Sequence, residues 1–196
     1  MNKERIAMIE KIKTIIPMFA IIAVVVYLIA CLISPVKSAS DVWSYIGYSI
    51  SADTLIFSLY SLWLWRINPF DKTPRLKKYY KGEIHSTYKK AENNGKKEIK
   101  VRVLQTMFGV RVYTKTDINN SASVIGNITE ENGQHFLYYT YVTNPKTNDQ
   151  KKNPIQYGTC RMLIENISDF EGKYWTSAGT AGDIVWSESD KQYWES

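Results

Sequence analysis

The chain has 196 residues, 44% of them hydrophobic, with a formal net charge of +6 and two cysteines. That length leaves room for one anchor and one soluble domain of ordinary size, but not for two soluble domains. Two cysteines exclude a disulfide-rich secreted scaffold.

The first third of the chain is apolar and the remainder polar. From Ile15 to Ile33 (IIPMFAIIAVVVYLIACLI) there is no charged residue. At about 1.5 Å per residue such a helix crosses a hydrocarbon core of about 30 Å. Pro17 falls in its first turn, where a missing N–H costs little. A second apolar, aromatic stretch runs from about Ile46 to Ile67, with Asp53 as its acidic interruption. Trp63 and Trp65, followed by Arg66, suit a membrane–water boundary. Both stretches are expected to be transmembrane helices in residues 1–70.

Lys3, Arg5, Lys11 and Lys13 precede the first stretch, and Arg66, Lys72, Arg75 and Lys77 follow the second, whereas the connecting loop carries Lys37 and Asp41. Loops rich in Lys and Arg stay in the cytoplasm, so both termini are expected inside. Leu28-Ile29-Ala30-Cys31 also reads as a lipobox, but Leu32 and Ile33 continue the apolar run. With Cys31 in the membrane and Cys160 in the following domain, no disulfide is expected.

From Asp71 onward the pattern is that of strands. In Glu98–Val103, alternation places Ile99, Val101 and Val103 on one face and Glu98, Lys100 and Arg102 on the other. Asn93-Asn94-Gly95 and Glu131-Asn132-Gly133 are hairpin connections, and Gly109 marks a turn or bulge. Eight strands are expected, over 80–91, 96–106, 109–117, 121–130, 134–143, 154–165, 172–178 and 182–188. No segment has a 3.6-residue period. Eight short antiparallel strands hide their edges by closing into a small barrel, with a β-sandwich as the alternative.

GxSxG, P-loop, HExxH and CxxC motifs are absent, and His85 and His135 lack partners at metal-binding spacing. No catalytic residue, cofactor or metal is expected. Charge is distributed unevenly: residues 72–115 hold 13 Lys and Arg against 3 Asp and Glu, and residues 116–196 hold 6 against 11. A basic segment beside a bilayer suits anionic lipid. Arg102, Arg111 and Arg161 lie in strands interleaved with Tyr113 and Tyr174, which is either ordinary surface charge or an anion site of nucleotide size.

Two N-terminal membrane helices, a Pro74-Arg75-Leu76 linker into Tyr80-Lys81-Gly82, and the runs Gly158–Ile164 and Phe170–Ile184 together resemble one family. The chain is similar to the two-transmembrane, β-strand-rich effectors associated with CD-NTases (SMODS synthases) in CBASS, the bacterial cyclic-oligonucleotide anti-phage systems. Gly172, Tyr174, Thr176, Thr180 and Gly182 match the pattern Gly-Xaa-Tyr-Xaa-Thr-Xaa-Arg-Xaa-Thr-Xaa-Gly, while Ala178 stands where that pattern has Arg.

The resemblance implies a multi-pass protein of the bacterial inner membrane whose barrel binds a cyclic di- or oligonucleotide made by a linked CD-NTase. Binding would favour a homo-oligomer that disrupts the bilayer, with no DNA or RNA partner. The strand pattern makes Arg102, Arg111, Tyr113 and Arg161 candidate ligand contacts, the matched motif adds Tyr174, Thr176 and Thr180, and Asp53, a carboxylate at membrane depth, is expected to have a membrane role. A tethered barrel binding a lipid or other apolar ligand, and a ligand-free membrane adaptor, remain open on the residues alone.

Overall fold

The structure is a computed structural model that describes residues 3–69, 71–87, 95–117, 119–145 and 155–195. The chain divides into two units, Met1–Pro69 and Phe70–Ser196.

The first unit is a helical hairpin, α1 (Lys3–Ile33) and α2 (Ala39–Leu62), ending in a 3-10 turn at Leu64–Ile67. Among the described residues, only Ile15–Ile33, with mean hydropathy 2.9, is long and apolar enough to cross a membrane by length and composition. The second expected span is helical but begins earlier than residue 46. A capping box starts it: the Ser38 hydroxyl accepts from the Asp41 N–H, and the Asp41 carboxylate accepts from the Ser38 N–H. The helix stops at Leu62 because Trp63 leaves helical geometry, at φ −141° and ψ −48°.

The two helices meet through T-shaped aromatic contacts. Phe19 packs on Phe57 at 5.1 Å and on Tyr60 at 6.1 Å, and Tyr27 packs on Tyr45 at 6.4 Å. The hydroxyls that make α2 less apolar are turned back on its own backbone. Ser44, Ser49, Ser51, Thr54 and Ser58 each donate to the carbonyl four residues earlier, at 2.8–2.9 Å.

The second unit is a closed antiparallel barrel in sequential order. Its strands are β1 (Tyr79–Ser86), β2 (Lys96–Thr106), β3 (Gly109–Lys115), β4 (Asn119–Glu131), β5 (Gln134–Pro145), β6 (Gln156–Asn166), β7 (Asp169–Thr176) and β8 (Ala181–Glu188). Closure runs through the β1–β8 ladder, from Tyr80 opposite Glu188 to Ser86 opposite Gly182, and this overturns the sandwich alternative. β1 stops at Ser86 rather than 91, and residues 88–94, including Asn93 and Asn94, lie outside the described residues. Asn132 (φ 52°) and Gly133 (φ 79°) form the tight β4–β5 turn that the Asn-Gly pair predicts. A five-residue helix, α3 (Lys191–Glu195), follows β8, too short to leave a helical period in the sequence.

Alternate residues fill the barrel. Near the end where the chain enters, Trp186 packs on Tyr80 (5.7 Å), Phe170 (5.8 Å) and Tyr139 (5.8 Å). Gly82 provides the room: a Cβ there would lie 2.7 Å from the Trp186 ring. Leu76 is buried in this same core, below the strands, as a floor. The buried Gln105 side chain fixes that segment, accepting from the Leu76 N–H (2.9 Å) and donating to the Pro74 carbonyl (2.8 Å). The Tyr80 hydroxyl accepts from the Lys77 N–H (2.7 Å) and donates to the Ile167 carbonyl (2.9 Å).

Gln105→Leu keeps the volume but strands a buried donor and acceptor, each of which costs about 1–3 kcal/mol when unmet. The variant is expected to lose at least about 2 kcal/mol of barrel stability in denaturant melts of the full chain, more than a Leu104→Ala control on the outer face.

Candidate ligand mouth of the barrel

At the opposite end from the Leu76 floor, the barrel interior changes character. A cavity of about 100 Å³ opens there, lined by Ile84, Lys97, Thr114, Thr116, Asn119, Ser121, Tyr139, Tyr141, Thr143, Cys160 and Tyr174, among others. These side chains come from β1, β3, β5 and β7 towards their ends and β2, β4 and β6 towards their beginnings, with Thr116 just beyond β3. None of the described lining residues is acidic, and one, Lys97, is a cation. Its volume corresponds to about three waters, so it accommodates the edge of a base or a phosphate rather than a whole dinucleotide.

Two tyrosines shape this mouth, and glycines make space for both. A Cβ on Gly158 would overlap the Tyr141 ring, and one on Gly182 would come within 2.9 Å of the Tyr174 ring. Burial raises the phenol pKa of both rings, and a hydrogen bond to Ser86 partly opposes this for Tyr174. Both are therefore neutral at physiological pH, able to stack or hydrogen-bond without repelling an anion. Deeper in, burial pushes the Cys160 thiol up to about 12, opposed by its hydrogen bond with Tyr139.

The rim consists of hydroxyls and amides. The Thr116 hydroxyl donates to the Asn119 carbonyl (3.1 Å) and accepts from the Asn119 N–H (2.9 Å), clamping the β3–β4 turn. The Thr143 hydroxyl accepts from the Gln156 N–H at 3.0 Å, and Thr176 and Thr180 join hydroxyl to hydroxyl at 2.7 Å across the β7–β8 turn.

The residues expected from the sequence separate into two sets. Tyr174, Thr176 and Thr180 come together at the mouth. Arg102, Arg111, Tyr113 and Arg161 share strand parity with outward residues and stand on the outer wall. Arg102 lies in register between Tyr79 and Tyr113, its Nε buried without a hydrogen-bond partner among the described residues, and Arg111 is exposed opposite Leu104. Arg161 is occupied: it donates to the Tyr138 hydroxyl (2.6 Å) and to Glu131 (3.0 Å), and stacks 3.7 Å over Phe136. Asp53 lies in the other unit, four residues from buried Ser49 and four from Phe57, with its Oδ1 buried and unpartnered.

Lys97, Ser121, Tyr141 and Thr143 were not singled out from the sequence, although alternation could have found them. Lys97 is two residues from inward Ile99, and Tyr141 two from inward Tyr139. Among the described residues no group of three or more His, Cys, Asp or Glu could hold a metal ion.

Residues 71–188, the whole barrel, match the family described as "Cap15, cyclic dinucleotide receptor domain". The chain belongs to this family. The family is a receptor family in CBASS, which makes the chain a cyclic-nucleotide-binding CBASS effector. A relative named CD-NTase-associated protein 15, from Staphylococcus schleiferi, is 35% identical over 142 residues, 71% of this chain and 76% of that protein. That share exceeds the barrel unit, so the similarity reaches into the helical unit.

Cys160 should leave a mark on alkaline stability. Its folded pKa, about 12, lies above the ordinary value of 9.0 for a free thiol, so the unfolded chain ionises first as pH rises. The stabilisation is complete below pH 9 and declines through pH 12, by about 1.4 kcal/mol per pH unit. Denaturant melts at pH 8, 9 and 10 are expected to show a shallower loss for Cys160→Ala than for the parent chain.

Proposed function

We propose that the barrel mouth is where the cyclic dinucleotide binds, lying across the rim with one base inserted against Tyr141 and Tyr174. The observation that carries this is the composition of the mouth: neutral aromatic rings, a ring of hydroxyls, Lys97 and no described carboxylate. Base–aromatic stacking contributes about 1–3 kcal/mol per base, and hydroxyl and ammonium groups suit a phosphodiester. An apolar ligand is disfavoured because Tyr80, Tyr139, Phe170 and Trp186 already occupy the interior below.

The name of the relative, CD-NTase-associated protein 15, supports a CD-NTase as the source of the ligand. We assign α1 and α2 as two spans of the inner membrane with both ends of the chain cytoplasmic. The back-bonded hydroxyls of α2 lower the cost of its polar residues in lipid. Ligand binding promotes a homo-oligomer whose clustered helices disrupt the bilayer. For that, the ligand must bind the assembled form better than the resting one.

Asp53 is the latent element of the helical unit. A carboxylate at membrane depth is costly unless it faces water or a partner, and its Oδ1 has neither among the described residues. Clustering supplies such an environment.

Calorimetry on the detergent-solubilised full chain, with a panel of cyclic di- and trinucleotides, tests the site. Tyr174→Ala and Lys97→Gln are expected to weaken binding about ten- to a hundred-fold, the cost of about 1.5–3 kcal/mol for a stacked or charged contact, while Arg161→Ala leaves it unchanged. No heat with any member of the panel, or a loss confined to the outer arginines, would overturn the assignment. In cells, Asp53→Asn is expected to bind ligand normally yet reduce dye uptake when the synthase is induced. Full dye uptake would mean that helix clustering alone disrupts the membrane.

A further inference from the structure

The outer wall of β1–β3 carries an arrangement that neither the mouth nor the helices use. Lys81, Lys100 and Lys115 stand directly opposite one another across the three strands, in a single outward row. In the next row Arg102 lies between Tyr79 and Tyr113, and Arg111 follows one row beyond. Like charges placed directly across a sheet destabilise it, so three consecutive lysines form a costly row. The nearest carboxylates on these strands, Glu83 and Glu98, also oppose each other and bound the patch on one side.

Aromatic groups of α3 lie over this row. The Lys115 ammonium is 4.2 Å from the Trp194 ring centroid, and Lys100 is 5.4 Å from that of Tyr193. Glu195 in the same helix is paired with Lys191 at 3.0 Å. The wall therefore combines a basic field with half-buried Tyr and Trp at its margin. That combination matches the headgroup layer of an anionic bilayer, where lysine and arginine meet phosphates and amphipathic rings sit at the boundary.

We propose that the β1–β3 wall, with α3, docks the barrel against anionic lipid headgroups. The occupant is argued from charge complementarity and from the chain's own apolar helix at Ile15–Ile33, which tethers the wall near a lipid surface. The reading of that helix as a membrane anchor supports the choice of occupant, while the charge pattern of the wall stands without it, and both are independent of the ligand mouth.

The test is lysine footprinting of the full chain incorporated in phosphatidylcholine vesicles with or without phosphatidylglycerol. Acetylation rates are read by mass spectrometry at Lys81, Lys100 and Lys115, with Lys173 on β7 as the internal control. A single surface charge is worth about five-fold in partition, so the three lysines are expected to react about five-fold more slowly in the anionic vesicles. Molar salt should restore their rates, as should Arg102→Gln with Arg111→Gln, and Lys173 should react alike in both lipids. Equal rates in the two lipids would overturn the proposal, as would protection of Lys173 to the same degree. Protection by a cyclic dinucleotide in neutral vesicles would assign the wall to nucleotide instead. A chain that sediments only with anionic vesicles, and is released by salt, would uphold the wall while refuting the membrane anchor.

Discussion

The β1–β8 ladder is the constraint on which the barrel unit depends, because it turns an open meander with two unpaired edges into a closed wall with none. Closure requires the inward side chains of all eight strands to fit one interior, with large residues set against small ones. Gly82 opposite Trp186 in the β1–β8 register is an instance: the seam closes only because one partner has no side chain. Gly158 beneath Tyr141 and Gly182 beside Tyr174 repeat this arrangement at the other end. Each aromatic pair adds about 0.5–1.5 kcal/mol beyond its burial, so the cluster around Trp186 makes one end rigid.

A barrel with a rigid floor and a polar mouth has its stability and its proposed recognition site at opposite ends. In the floor, Gln105 and the Tyr80 hydroxyl meet their hydrogen bonds internally, whereas the Trp186 indole N–H is buried without a partner among the described residues. At the mouth, hydroxyls of Thr116, Thr143 and Thr176 are held by turn backbones or by each other. Such side chains are positioned before a ligand arrives, which lowers the ordering cost of binding. The same separation allows a mouth substitution to reduce affinity without unfolding the domain.

Under the proposed membrane assignment, the helical unit answers a different solvent. Serine and threonine hydroxyls that bond the preceding turn are tolerated in lipid, whereas Asp53 Oδ1 has no such partner among the described residues. The proposed role of Asp53 rests on that contrast rather than on the number of polar residues in α2.

Much of this was legible in the chain itself. Local signals determined the apolar helix at Ile15–Ile33, the Asn132-Gly133 turn and the eight strands, because hydropathy over 19 residues, positive φ and period-2 alternation act over short ranges. Alternation even placed Arg102 on the face away from Val101 and Val103, and thus outside the barrel. Tertiary structure alone decided the rest. Pairing β1 with β8 and setting the register across strands brought Lys97, Tyr141 and Tyr174 to one mouth from distant segments, aligned Lys81, Lys100 and Lys115, and tied Arg161 to Glu131 and Tyr138. Such neighbours depend on strand register and closure, properties of the assembled wall that no short stretch of sequence contains.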